Sequence, residues 1–244
     1  MANASEHTQH RPLSVESIRT DLEALSDASY RSFQMALMPT VDPNRVLGVR
    51  VPVLRSYAQT LKHNRPRITS FLEQLPHSSY DEDNLHALLI GADTTDMDAT
   101  CKELDIFLPY VDNWATCDMI KPPLFARNKN EIHPYAYQWM QANPKTSTYT
   151  VRYGINCLRT YLLDDLFTTK LLDEVAHISS GTYYVDMARA WFFAEALTRQ
   201  YDATLPLFTT PHMDAWTHNK ALQKARESRR IPANQKGFLN SLKI

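Results

Sequence analysis

The stretch PVLRSYAQTLK, residues 52–62, places its apolar side chains at the spacing of an α-helix. Those side chains are Val53, Leu54, Tyr57, Ala58 and Leu61. They recur at intervals of three and four residues, so one face of a helix would carry them toward a core. A β-strand would need apolar residues at every second position, and the chain has no convincing segment of that kind. The stretch therefore predicts an all-α protein.

The helical pattern continues along the chain, with short breaks at proline, aspartate or asparagine. Ser14 would cap a first helix over about 15–25, and Asp81-Glu82-Asp83 would begin a later one with acids. Further helices are predicted near 97–109, 113–127, 131–142, 147–163, 168–177, 182–201, 202–209, 213–229 and 233–242. Helices of this length with short connections favour stacked helical hairpins, that is, an α-solenoid of HEAT-like, armadillo-type repeats with a concave face.

The ends and the cysteines indicate the kind of protein. Residues 1–13 are polar and predict a disordered tail, which leaves 14–244 as a single domain. The tail lacks the apolar core of a signal peptide, and no apolar run approaches the ~18 residues of a spanning helix. Cys101, Cys117 and Cys157 are odd in number and lack CxxC spacing, which favours reduced, buried thiols. The expected location is the cytoplasm.

Several classes of site have no support. Only five glycines occur in 244 residues, and neither a GxGxxG nor a GxxxxGK[ST] string is present. The nine histidines show no HxxxH or HExxH spacing, so no metal site is predicted. A nuclease with two metal ions would need a cluster of carboxylates, which the sequence does not suggest.

Charge is distributed unevenly although the formal net charge is −1. Residues 43–72 carry six bases and no acid, and residues 219–244 carry seven bases against Glu227 alone. Residues 81–118 carry ten acids and one base, Lys102. Such segregation would let the fold present a basic face to a polyanion and keep an acidic back. The alternative is ordinary solvated helix faces of mixed sign.

Three residues suggest a repeat. Trp114, Arg152 and Trp191 are 38 and 39 residues apart, which is within the range of a HEAT or armadillo unit. Equivalent positions of successive repeats project from the same face, so these side chains are predicted to converge on one site.

The helix faces around these residues carry further polar groups. Arg152, Asn156 and Arg159 form a row beside an apolar stripe, which would put Arg152 at the edge of the core. That stripe consists of Val151, Ile155, Leu158 and Leu162. Similar rows are predicted for Trp114, Asp118 and Lys121, in a helix that Pro122-Pro123 should kink or end, and for Tyr184, Met187, Trp191 and Ala194.

One carboxylate, two tryptophans and an arginine suit a particular chemistry. A carboxylate stabilises a developing cation, tryptophan faces attract cations, and arginine holds phosphate. Hydrolysis of an N-glycosidic bond passes through such a cation, the oxocarbenium-like sugar. A base alkylated at N3 or N7 is already cationic and leaves without a second acid, so Asp118 alone would suffice. The alternatives are that Trp191 is a core residue and that Arg152 is simply solvated.

Five segments carry a family resemblance. They are RVLGVRVPVLRSYA (45–58), DNWATCDMIKPPL (112–124), TVRYGINCL (150–158), YYVDMARAWFFAEAL (183–197) and NKALQKARESRRI (219–231). In this order, over about 14–243, the chain resembles the DNA alkylation repair family of AlkD-like DNA glycosylases, which are HEAT-like-repeat proteins.

The resemblance implies roles for individual residues. Trp114 and Asp118 match the family's catalytic Trp-x-x-x-Asp, Trp191 a second cleft tryptophan, and Arg152 a phosphate-contacting arginine. It implies excision of cationic N3- and N7-alkylated purines from duplex DNA without base flipping. The tryptophans would pack on the deoxyribose, and the aspartate would stabilise the sugar cation and position water. It implies no metal and no organic cofactor.

DNA contacts are expected beyond these residues. Tyr184, Arg159, Lys220, Lys224, Arg226, Arg229 and Arg230 are predicted to contact DNA, with Arg45, Arg50 and Arg55 as further candidates. A helix spreads neighbouring residues around its axis, so they cannot all face the duplex. We expect a nucleoid-associated monomer that does not bind membranes. The rival function is a non-catalytic HEAT-repeat protein that binds DNA structures or a protein partner.

Overall fold

A computed structural model describes residues 15–62, 65–92, 94–179, 181–210 and 212–244. These residues form helices and no β-strand, apart from one isolated bridge between Ser26 and Val49. The all-α prediction is confirmed, whereas the solenoid and its concave face stay predictions. None of the described helices combines the length and apolar character needed to cross a membrane.

The chain divides into two compact units, residues 1–93 and 94–244. The predicted tail over 1–13 lies outside the described residues. The prediction of one domain over 14–244 stays a prediction.

The described residues of the first unit form five helices. They are α1 (Val15–Ala24), α2 (Ala28–Leu37), α3 (Val51–Lys62), α4 (Arg65–Glu73) and α5 (Tyr80–Leu89), with a 3₁₀ turn at Pro43–Arg45. Four of these helices, α1, α3, α4 and α5, contribute to its apolar core. In α3, Leu54, Ala58 and Leu61 are buried as predicted, but Val53 remains exposed. The apolar pattern of the sequence does not predict α2 or α4. Helix α2 has mixed composition and begins at Asp27, whose carboxylate accepts a hydrogen bond from the Tyr30 amide.

The acids that begin α5 are buried. Asp81 accepts hydrogen bonds from the backbone amides of residues 47, 48 and 49, at 2.7, 3.3 and 2.8 Å. Glu82 closes a capping box with Ser79 and also pairs with Arg19. Asp83 pairs with Arg45 at 2.6 Å. These three acids therefore do not form a solvated acidic back, and the prediction of charge segregation is wrong for this stretch, because packing pairs the acids with nearby bases and amides.

The second unit carries the remaining helices. They are α6 (Met97–Phe107), α7 (Trp114–Met119), α8 (Pro123–Arg127), α9 (Ile132–Met140), α10 (Thr148–Cys157), α11 (Thr169–Ala176), α12 (Tyr183–Arg199), α13 (Tyr201–Thr204), α14 (Pro206–Thr209), α15 (Ala215–Glu227) and α16 (Ala233–Ser241). Leu108–Tyr110 and Lys129–Glu131 are 3₁₀ turns, and Leu158–Leu162 is a π-helical segment.

Proline divides two of the predicted helices. The helix predicted over 113–127 is two helices, and the second begins at Pro123. The helix predicted over 202–209 is also two helices, and the second begins at Pro206. Helix α10 packs against α7, α9 and α12, and α12 packs against α15. The predicted stripe of α10 and the π-helical segment is buried at all four positions, Val151, Ile155, Leu158 and Leu162, and the three cysteines are free and buried, as predicted.

Candidate functional site

The sequence DNWATCD adopts a short helix that an asparagine begins. The Asn113 side chain accepts a hydrogen bond from the Thr116 amide at 2.8 Å, and it is fully buried. This N-cap makes Trp114 the first residue of α7 and places Asp118 one turn later on the same face. Lys121 was predicted to share this row, but α7 ends at Met119 before reaching it.

Asp118 is held by two side chains of α10. Arg152 donates from Nε to Asp118 Oδ1 at 2.8 Å and from Nη2 to Oδ2 at 2.7 Å. Asn156 donates from Nδ2 to Oδ1 at 2.7 Å. The third group of the arginine, Nη1, donates to the Tyr184 carbonyl oxygen at 2.9 Å. The carboxylate is therefore fixed in position by a charged, bidentate contact.

Arg152 lies inside the core, so the prediction that it sits at the edge is wrong. Its side chain is 3% exposed, whereas that of Asp118 is 21% exposed. Burial opposes the charge of the guanidinium, but its hydrogen bonds and its attraction to Asp118 prevail and raise the pKa of Arg152. The spacing along a helix shows that Arg152 lies beside the apolar stripe. How far α7 and α12 bury it depends on how those helices pack, which the spacing does not show.

Trp191 brings α12 into the same site. Its ring centre lies 5.6 Å from the guanidinium carbon of Arg152 and 5.6 Å from that of Arg159. The ring is half-buried and contacts two cations, an arrangement that aromatic faces favour. The predicted convergence is confirmed for Arg152 and Trp191. Trp114 is also half-buried, one turn from Asp118.

A cavity of about 110 Å³ opens beside Asp118. Its polar lining includes Asp118, Lys121, Asn156, Arg159 and Thr160, and Cys117 and Cys157 also line it. Burial raises the pKa of both thiols, which therefore stay protonated and are poor nucleophiles. Of the lining residues, only Asp118 is an acid.

A larger cavity, of about 910 Å³, lies elsewhere in the second unit. It is lined by residues of α9 and α11 and shares no residue with the Asp118 cavity. Its polar groups include Glu174, which already pairs with His133 and Lys170. We place the candidate site at the smaller cavity, because there a partly exposed carboxylate of α7 is oriented by two side chains of α10. In the described part of the chain, no three His, Cys, Asp or Glu side chains gather as a metal ion would require.

A series of aromatic rings extends from Tyr184. Its ring centre lies 5.7 Å from that of Tyr149 and 5.1 Å from that of Tyr183. Tyr183 in turn lies 5.9 Å from Trp216, and Lys220 Nζ lies 5.7 Å from the Trp216 ring centre. Tyr183 and Trp216 are exposed. The sequence pattern does not indicate these two residues, since their proximity depends on how α12 and α15 pack.

The other predicted DNA-binding bases differ in their partners. Lys224 pairs with Glu227 at 2.9 Å, and Arg230 contacts Glu195 at 3.4 Å. Arg226 donates to Asn240 at 2.6 Å, and Arg229 is exposed. Among the candidates of the first unit, Arg50 pairs with Asp27 and Arg55 is exposed. DNA contact by each of these bases stays a prediction.

Comparison with known proteins identifies the family. A family model described as DNA alkylation repair enzyme matches residues 18–203, which is more than half of the chain. Neither the curated proteins nor the solved structures contain a match. The matched residues include Trp114, Asp118, Arg152 and Trp191. The family indicates an enzyme of DNA alkylation repair with DNA as its partner. The chain therefore belongs to the family of DNA alkylation repair enzymes.

Proposed function

We propose that the protein is a DNA glycosylase that hydrolyses the N-glycosidic bond of cationic N3- and N7-alkylated purines in duplex DNA. The observation that carries this proposal is a single partly exposed carboxylate, Asp118, fixed by Arg152 and Asn156 next to Trp191. A lone acid suits a substrate whose base is already a cation, because protonation of the leaving group is then unnecessary.

The reaction would proceed with little help from proton transfer. The bond from the sugar C1′ to the base nitrogen breaks, and its electron pair neutralises the departing alkylpurine. The Asp118 carboxylate stabilises the cationic sugar and orients a water molecule, whose oxygen attacks C1′ and whose proton passes to solvent or to Asp118. The ring of Trp191, and that of Trp114 in the same row as Asp118, would pack against the deoxyribose.

The size of the cavity supports excision without base flipping. A pocket that encloses a small molecule typically has about 300 Å³ or more. The cavity beside Asp118 has about 110 Å³, which is too small for an enclosed purine. The sugar would therefore approach Asp118 while the base stays in the duplex. The bases of α15 would contact phosphates, and the enzyme would work with the nucleoid in the cytoplasm.

The decisive experiment measures free base released from duplex DNA that carries N7-methylguanine or N3-methyladenine. The wild-type protein is compared with Asp118→Asn, Trp114→Ala and the control Asp165→Asn, whose side chain is exposed. We expect release by the wild type and the control, and a decrease of about 10²-fold or more in Asp118→Asn, because a preorganised electrostatic group is removed. Salt-sensitive DNA binding without any release would instead identify a non-catalytic DNA-binding protein.

A further inference from the structure

Arg159 occupies an unusual position next to the candidate site. It is the second residue of the π-helical segment Leu158–Leu162, and it lines the cavity together with Asp118. Segments of π-helix are rare and frequently occur at functional sites. The guanidinium also lies over Trp191, on the ring that Arg152 contacts.

The charge of Arg159 has no counter-charge at contact distance. Among the described residues no carboxylate lies within 4.0 Å of its guanidinium. Its one hydrogen bond runs from Nη2 to Asn156 Oδ1 at 3.4 Å, and its Nε is buried without an acceptor. Burial lowers the pKa of Arg159, and the charges of Asp118 and Glu195 oppose this shift without cancelling it, so the site disfavours the charge that the side chain carries.

Two buried arginines of the second unit are fully partnered, whereas Arg159 is half-buried. Arg189 pairs with Asp186 and Asp214, at 3.1 and 2.8 Å. Arg152 uses Nε, Nη1 and Nη2, and almost none of its surface reaches solvent. Partial burial of a guanidinium without an anion is also costly, and an incoming anion lowers that cost. Arg159 therefore has hydrogen-bond donors without acceptors, and binding an anion would stabilise its charge.

We propose that Arg159, rather than Arg152, binds a phosphodiester of the DNA beside the lesion, and that Arg152 is a positioning residue for Asp118. The inference rests on the proposed function for its ligand, DNA. The planar guanidinium of Arg159 would donate hydrogen bonds to two phosphate oxygens. Trp191 and Asn156 would hold the guanidinium beside the sugar that Asp118 faces.

The test measures binding to duplexes that contain a tetrahydrofuran abasic analogue, from which no base can be released. In each duplex one phosphate near the analogue is replaced by an uncharged methylphosphonate. We expect wild type to lose affinity about tenfold at one such position, as charge-assisted contacts predict. Arg159→Gln should bind the all-phosphate duplex about tenfold more weakly and lose nothing further at that position. Its salt dependence should fall by about one phosphate contact.

Three further variants make the result specific. Arg159→Lys keeps the charge and should retain part of the methylphosphonate effect, that is, the loss of affinity when the one sensitive phosphate is replaced. Arg127→Gln removes an exposed arginine that is not among the predicted DNA contacts and should retain all of it. Arg152→Gln should retain the effect while base release from methylated DNA falls, because Asp118 is no longer held. Thermal unfolding monitored by circular dichroism verifies that each variant is folded. If Arg159→Gln is not folded, Arg159→Lys takes its place in the comparison.

The proposal is overturned if Arg152→Gln abolishes the methylphosphonate effect and Arg159→Gln keeps it, or if no single position affects wild-type binding. Failure of the glycosylase proposal is a separate result. It would appear as unaltered methylated DNA, whereas the binding comparison uses DNA that cannot react.

Discussion

Arg152 donates hydrogen bonds to both carboxylate oxygens of Asp118, at 2.8 and 2.7 Å, from a side chain that is almost entirely buried. Asp118 keeps 21% of its own side chain exposed. The arginine is thus enclosed by the fold, and the aspartate is the member of the pair that a ligand can reach. This asymmetry suits a carboxylate that acts on a substrate and an arginine that holds it in place.

The first prediction concerns this ion pair. Arg152→Gln should lower the free energy of unfolding by about 2–4 kcal/mol, because it removes a buried ion and its three hydrogen bonds. Urea unfolding measures the change. A double-mutant cycle with Asp118→Asn should give a coupling energy of about 1–3 kcal/mol. Additive effects of the two substitutions would show that the pair contributes little.

The second prediction concerns Gly154, which allows α10 to approach α9 closely. A Cβ atom at Gly154 would lie 2.6 Å from the Ala136 carbonyl oxygen and 2.7 Å from Met140 Cγ. Gly154→Ala should therefore destabilise the protein by about 1–3 kcal/mol, although alanine is the better helix former. Base release should also fall, because α10 carries Arg152 and Asn156.

A matched control exists in α16. Gly237 has no heavy atom within 4 Å of the position that a Cβ would take. Gly237→Ala should leave stability unchanged or raise it by up to about 1 kcal/mol, since only helix propensity changes. Thermal unfolding of both variants tests the comparison, and equal effects would mean that the close approach of α9 and α10 is unimportant.

The third prediction concerns pH and the first unit. His77 is buried, its Nε2 lies 2.8 Å from His86 Nδ1, and burial lowers its pKa to about 4. The charge of Glu82 opposes this shift, and those of Arg19 and Arg45 add to it. Below the ordinary histidine pKa, 6.5, the unfolded chain binds a proton that the folded chain does not. Stability should therefore fall as the pH drops from about 6.5 to about 4, by up to about 3 kcal/mol.

Urea unfolding at about pH 7 and about pH 5 measures this loss, which should amount to about 2 kcal/mol. His77→Gln should remove most of the difference, whereas His212→Gln, at an exposed position, should keep it. A wild-type stability that stays constant over this range would contradict the assignment of a neutral, buried His77.

The fourth prediction concerns the aromatic and basic surface of α15. A cavity there is lined by Trp216, Lys220, Arg226 and Lys243, and no acid lines it. Lys220→Gln should weaken DNA binding about equally for all sequences and reduce the salt dependence by about one phosphate contact. Fluorescence anisotropy at several salt concentrations measures both. Lys170→Gln, which removes an exposed base of α11, should leave both unchanged.

The sequence alone determined the class of the fold and the residue types of the candidate site. Apolar residues at a helical period predict helices, because that spacing reports which residues share a face. Asn113 begins α7, so Trp114 and Asp118 share one face whatever packs against it. The break between α7 and α8 is also determined locally, since proline removes a backbone hydrogen-bond donor wherever it occurs.

Only the tertiary structure decided what those faces meet. Arg152 and Asp118 are 34 residues apart, and no helical pattern states that their helices lie close enough for a bidentate contact. The acids of α5 looked solvated because their partners, Arg19, Arg45 and the amides of residues 47–49, lie far away in sequence. Periodicity gives the direction of a side chain about its own helix axis, whereas burial and pairing depend on distances between helices.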